Sequence, residues 1–154
     1  PKVRAIWNMR SEEVSAADDP TDFDAEMKWF ALLLPFVPEG ETLASLWPLL
    51  EPLIPYITKV KYRTQEWDAV EEYLASQVER DPVRAIRLYH QMHEHRPPYD
   101  YYRASDESRK IIETAAADNS ACRDALSLIN LLARHNDEFR DVYERHKDCL
   151  GRTA

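Results

Sequence analysis

TQEWDAVEEYLASQVERDPVRAIRLYHQMHEH, residues 64–95, reads as two amphipathic helices folded back on each other across Arg80-Asp81-Pro82. In the first, Trp67, Val70, Leu74 and Val78, with Tyr73 alongside, recur at the period of a helix with one buried stripe. Glu66, Asp68, Glu71, Glu72 and Glu79 are expected on the opposite, solvated side. Asp81-Pro82 is the punctuation. Aspartate can accept from the free N–H groups of a first helical turn, and proline is tolerated at the first helical position because its missing donor has no partner there. Pro82 also disfavours the α conformation at Asp81, so the preceding helix must stop. The second helix carries Ala85, Ile86, Leu88, Tyr89 and Met92 on a wide apolar face. Helices joined by so few residues are antiparallel neighbours.

Ser105 to His135 repeats the plan. Ser105 is placed to cap a helix with Asp106 and Glu107 in its first turn, where the dipole favours negative charge. Ile111, Ile112, Ala115 and Ala116 form its buried face, and Asp118-Asn119-Ser120 breaks it. The next helix spreads Cys122, Ala125, Leu126, Leu128, Ile129, Leu132 and Ala133 over nearly half its circumference, the breadth of a helix with neighbours on two sides. Sliding one unit onto the other aligns Arg84 with Arg123, Tyr89 with Leu128 and Met92 with Leu131, a match of pattern more than identity.

The chain of 154 residues is one domain by size, and its two glycines, Gly40 and Gly151, leave little for tight β-turns or phosphate-cradling loops. A net charge of −8 argues against a nucleic-acid backbone as main partner. Cys122 and Cys149 are too few to indicate a disulfide framework, so free thiols in a reducing, cytoplasmic setting are the simplest expectation. No signal peptide is visible, and the apolar run from Trp29 to Val37 falls well short of the roughly 20 residues that span a bilayer. The start at Pro1 suggests a fragment of a larger protein.

Residues 1–22 read as a helix end followed by an acidic linker, and residues 23–154 as the helical domain. Thr21 or Asp22 can cap a helix striped by Phe23, Met27, Phe30, Leu34 and Val37. Trp29, Leu32 and Leu33 leave it almost no polar face, so it is expected to be the most buried of the set. From Thr42 to Val60 a helical spacing is interrupted by Pro48, Pro52 and Pro55, and since an interior proline costs about 3 kcal/mol, Pro48 is expected to open a new turn. The last helix begins near Asp137 with Phe139, Val142, Tyr143, His146 and Leu150 as its stripe, and Gly151 is expected as a left-handed terminator.

The paired helices over residues 66–80 with 82–95, and 106–117 with 121–134, resemble the α-solenoid repeats of the HEAT, armadillo and tetratricopeptide kind. The Trp, Gly, Tyr and Pro positions of the tetratricopeptide pattern are not met, so the resemblance is to the broad class. It implies an all-α array of about seven or eight helices, as antiparallel hairpins stacked like a solenoid. It also implies a scaffold or peptide-binding role, with a protein partner or the rest of a parent chain; no cofactor is expected for want of a cofactor motif, and no membrane for want of a long apolar run.

Candidate chemistry is sparse. His90, His93 and Glu94 can in principle share a metal with a third element, the alternative being a small helical metal protein or enzyme, but the pattern lacks the i, i+4 histidines of a zinc protease. Histidines at the rim of an apolar face more often pack and hydrogen-bond. Cys122 with His135 and Cys149 with His146 are weak nucleophile pairs, and Glu71-Glu72 is read as solvated. The segment Arg96-Pro97-Pro98-Tyr99-Asp100-Tyr101-Tyr102-Arg103 has the composition of a recognition surface. Tyr99, Tyr101, Tyr102, Arg96 and Arg103 are therefore the candidate partner-binding residues, against the stronger plain reading that the tyrosines close the core over the helix ends.

Overall fold

The structure, a computed structural model, describes residues 5, 9–10, 12–13, 24–37, 41–51, 53–58, 64–94, 104–134 and 137–151. Every regular element among them is helical. Helix α1 (Asp24–Leu33) runs into a 3-10 turn (Leu34–Phe36), followed by α2 (Leu43–Leu50), α3 (Leu53–Thr58), α4 (Gln65–Gln77) and α5 (Pro82–Glu94). Then come α6 (Asp106–Ala117), α7 (Cys122–Leu132), α8 (Arg140–His146) and a closing 3-10 turn (Lys147–Gly151). No helix among the described residues is long and apolar enough to cross a membrane.

The boundaries follow from local chemistry. The Thr64 hydroxyl accepts from the Trp67 N–H at 3.3 Å and starts α4. Asp81 starts α5, its carboxylate accepting from the Arg84 N–H at 3.1 Å and the Arg84 guanidinium at 2.8 Å, with Pro82 at the first helical position. The Ser105 hydroxyl accepts from the Ser108 N–H at 3.0 Å and starts α6. Asp118 closes the next corner by accepting from the N–H groups of Ser120 and Ala121, at 2.9 and 3.1 Å, and from the Ser120 hydroxyl. The Ser120 hydroxyl bond is the main reason the Asp118 carboxyl titrates below its ordinary value. In α2 a reciprocal Thr42–Ser45 capping box holds the first turn.

Packing forms two rows. In one, α1 lies against α4, α4 against α6, and α6 against α8; in the other, α3 lies against α5 and α5 against α7. The rows join where α4 meets α5 and α6 meets α7, and one continuous core runs from Met27 and Leu34 to Phe139 and Val142. Fully buried side chains such as Leu74, Ile86, Ile112 and Leu126 each stabilise this core by about 1.5–3 kcal/mol.

Several expectations are corrected. Helix α1 is not the most buried: Met27, Ala31 and Leu34 face inward, but Trp29, Leu33 and Phe36 stand in solvent. Glu66 and Glu71 are buried rather than solvated. Pro48 does not open a new turn; it stays inside α2, and the break follows Leu50. A helix this short forgoes only the bond to the Ala44 carbonyl. Ala133 is exposed at the end of α7, and Gly151 continues the closing 3-10 turn without a positive φ. Cys122 is buried on the apolar face of α7 as expected, yet it is not a free thiol. It is bonded to Cys149 with the Cα atoms 6.4 Å apart, because α8 and the closing turn fold back onto α7.

Candidate functional site

The recognition segment read from the sequence, with Arg96, Tyr99, Tyr101, Tyr102 and Arg103, lies outside the described residues. The histidine cluster is described, and its members separate. His90 Nε2 sits 3.5 Å from the Glu94 carboxylate, one turn on. His93 turns toward α4, edge-on to Trp67 at 5.1 Å and to Tyr89 at 4.7 Å between ring centroids. Among the described residues no group of three His, Cys, Asp or Glu side chains is placed to hold a metal ion. Cys149 lies within three residues of His146, but its sulfur is bonded to Cys122.

Buried polar groups gather along α4. Glu71 accepts from the Tyr89 hydroxyl at 2.6 Å and the Ser105 hydroxyl at 2.8 Å, so one carboxylate ties α4 to α5 and to the cap of α6. Both donors are neutral hydroxyls, and the loss of either removes a hydrogen bond from a buried carboxylate. This is a structural fastening. Two residues from it, the Tyr73 hydroxyl is buried with no hydrogen-bond partner among the described residues. Burial, reinforced by the Glu41 carboxylate, pushes its pKa up to about 12. For Glu66, burial alone would raise the carboxyl. Hydrogen bonds from its own backbone N–H and from Thr64, with Lys28 at 3.6 Å, bring it below the ordinary value instead.

The surface best suited to contact another molecule is the outer face of α1. Trp29 is 67% exposed, Leu33 46% and Phe36 80%. Their spacing of four and three residues puts them on one stripe, parallel to the inward stripe of Met27, Ala31 and Leu34. Among the described residues no helix follows α1 outward in its row, and none lies over the stripe. Beside it runs an open groove of about 410 Å³. Leu32, Pro35 and Phe36 form one wall, and Gln65, Asp68, Ala69 and Glu72 of α4 form the other. The stripe was visible in the sequence as the lack of a polar face on α1. The burial of one side of the helix says nothing about the other.

No protein-family model, curated protein or solved structure matches this chain.

Proposed function

We propose that the chain is a non-catalytic interaction module, built of helical hairpins stacked in solenoid fashion, that receives another polypeptide on the outer face of α1. Support for the stacking comes from the two rows, in which each helix packs on the next of its row and on its hairpin mate. The observation that carries the function is the exposed apolar stripe of Trp29, Leu33 and Phe36, which ends a row among the described residues. Terminal elements of stacked arrays ordinarily turn a polar face outward, because an apolar end invites further stacking. Large aromatic side chains are also the residues that dominate binding energy at interfaces. A cytoplasmic setting was inferred from free thiols, and the Cys122–Cys149 bond removes that argument, since such bonds persist mainly in oxidising compartments.

Peptide display on the immobilised chain tests the reading. Peptides should be retained by the native protein and lost by a Trp29→Ser, Phe36→Ser double variant whose melting temperature is unchanged. Retention of the same peptides by both proteins would place the binding surface elsewhere and overturn the assignment of α1.

A further inference from the structure

We infer that the Cys122–Cys149 bond is a thiol-exchange site with a direction: a small monothiol of the glutathione type attacks the Cys149 sulfur, Cys122 leaves, and the closing 3-10 turn comes away from α7. This site lies on α7 and the closing turn and is independent of the α1 docking face.

The two sulfurs stand in unlike places. Cys122 is the first residue of α7, 2% exposed and part of the continuous core. Cys149 is half-buried in the closing turn and packs against that core from outside. A thiolate displaces sulfur along the S–S axis, arriving opposite the leaving atom. On Cys122 that approach is closed by the core, so access selects Cys149. The leaving sulfur is then Cys122, at a helix start where the dipole favours a thiolate and offsets part of the cost of its burial. The new bond joins the reagent's sulfur to Cys149 Sγ. The Cys122–Cys149 bond breaks with its electron pair on Cys122 Sγ, which takes a proton from water. A second monothiol attacks the reagent's sulfur, frees Cys149 and leaves as the reagent's own disulfide, so two thiols supply the two electrons.

What the cut releases is small and defined. No residue of the closing turn is buried, and among the described residues Cys149 is its one side chain packed against the core. Lys147 Nζ meets the Glu144 carboxylate at 2.7 Å, but that exposed pair ties the turn to α8 rather than to α7. Helix α8 keeps Phe139 and Val142 in the core without the bond. Cys122 Sγ lies 3.8 Å from the His146 carbonyl, so the thiol left behind has an acceptor in place. Reduction therefore frees the turn and leaves the two rows packed.

The probe is reduced glutathione added to the folded, unreduced full chain, with samples quenched in mildly acidic denaturant containing maleimide and mapped by peptide mass. Glutathione should be found on Cys149 and maleimide on Cys122, in about tenfold excess or more over the reverse pattern. Adducts shared equally, or concentrated on Cys122, overturn the direction. Tyr89→Phe, which destabilises the fold at the contact of α4 with α5, should leave the exchange rate unchanged. Acceleration in step with its lost stability would mean that the bond opens only through unfolding, and overturns the site. So does a folded chain that withstands millimolar glutathione and exchanges only in denaturant, or an untreated chain with two free thiols. Trypsin cleavage at Lys147 should quicken on reduction while cleavage within α4 to α6 does not; unchanged cleavage at Lys147 overturns the release of the turn.

Discussion

The Tyr89 hydroxyl donates a 2.6 Å hydrogen bond to the buried Glu71 carboxylate, joining α5 to α4 across 18 residues of sequence. The other carboxylate oxygen takes the Ser105 hydroxyl, which at the same time caps α6. Glu71 thereby fixes the register between the two hairpins. Glu71→Ala takes the acceptor from two buried or half-buried hydroxyls and opens a cavity, so it should lower stability by about 3 kcal/mol. Tyr89→Phe leaves one carboxylate oxygen short and should cost about 1–3 kcal/mol. A double-mutant cycle by urea unfolding should return a coupling of about 1 kcal/mol or more. Additive losses would mean that the two groups do not depend on each other.

Tyr73 makes the opposite case. Its hydroxyl is buried and has no hydrogen-bond partner among the described residues, so removing it should help. Tyr73→Phe keeps the ring and is expected to raise stability by about 1 kcal/mol near neutral pH. The pH dependence has a definite sign. The phenol pKa is raised from 10.0 to about 12 in the fold, so the folded state holds its proton longer than the unfolded chain. Stability is unaffected by this group below pH 10.0, declines as pH rises, and stops declining above about 12. Unfolding curves across that window should be flatter for Tyr73→Phe than for the native chain; an unchanged slope would show that Tyr73 titrates normally.

The acid side has its own reporter in Glu66. Its folded pKa is lowered from 4.5, so its contribution is present above that value and fades as pH falls through the folded pKa. Glu66→Gln should remove part of the acid sensitivity below about pH 4.5, and Lys28→Met should remove less of it, because the hydrogen bonds from Thr64 and the backbone remain. Melting temperatures recorded from neutral pH downward decide this. Equal acid sensitivity in Glu66→Gln and the native chain would shift attention to another carboxylate such as Asp118.

What could be read from the sequence was what residues decide with their immediate neighbours. Asp81 before Pro82, Ser105 before two acids, and Asp118 before Ser120 mark helix ends through bonds spanning two or three residues. The inward stripes of α4 to α7 follow from period alone. Burial of Glu71 depended on partners 18 and 34 residues away, which periodicity does not contain. The exposure of Trp29 and Phe36 depended on which helices pack against α1: among the described residues they lie on its Met27 and Ala31 side alone. A hydrophobic stripe states what avoids water, not what is available to cover it.

The cysteine pair shows the same limit and gives the last prediction. Cys122 lies at the start of α7 and Cys149 in the closing 3-10 turn, 27 residues later, and neither spacing nor count marks them as partners. They meet because Phe139 and Val142 anchor α8 in the core and the chain doubles back across α7. A cross-link closing a loop of this length restricts the unfolded ensemble and stabilises the fold by about 3–4 kcal/mol in the loop-entropy account. The native chain should therefore show no free thiol to a colorimetric reagent, even when unfolded in denaturant without reductant. Reduction, or Cys149→Ser, should lower stability by about that amount. The loss should act through the end of the chain: α8 and the closing turn should become the first region to exchange amide protons, while α4 to α6 stay protected. Cys122→Ala with Cys149→Ala separates packing from cross-linking, because the small apolar side chain at position 122 still sits in the core. If that double variant keeps the native melting temperature and exchange pattern, the bond contributes nothing and the doubling back of α8 is held by Phe139 and Val142 alone.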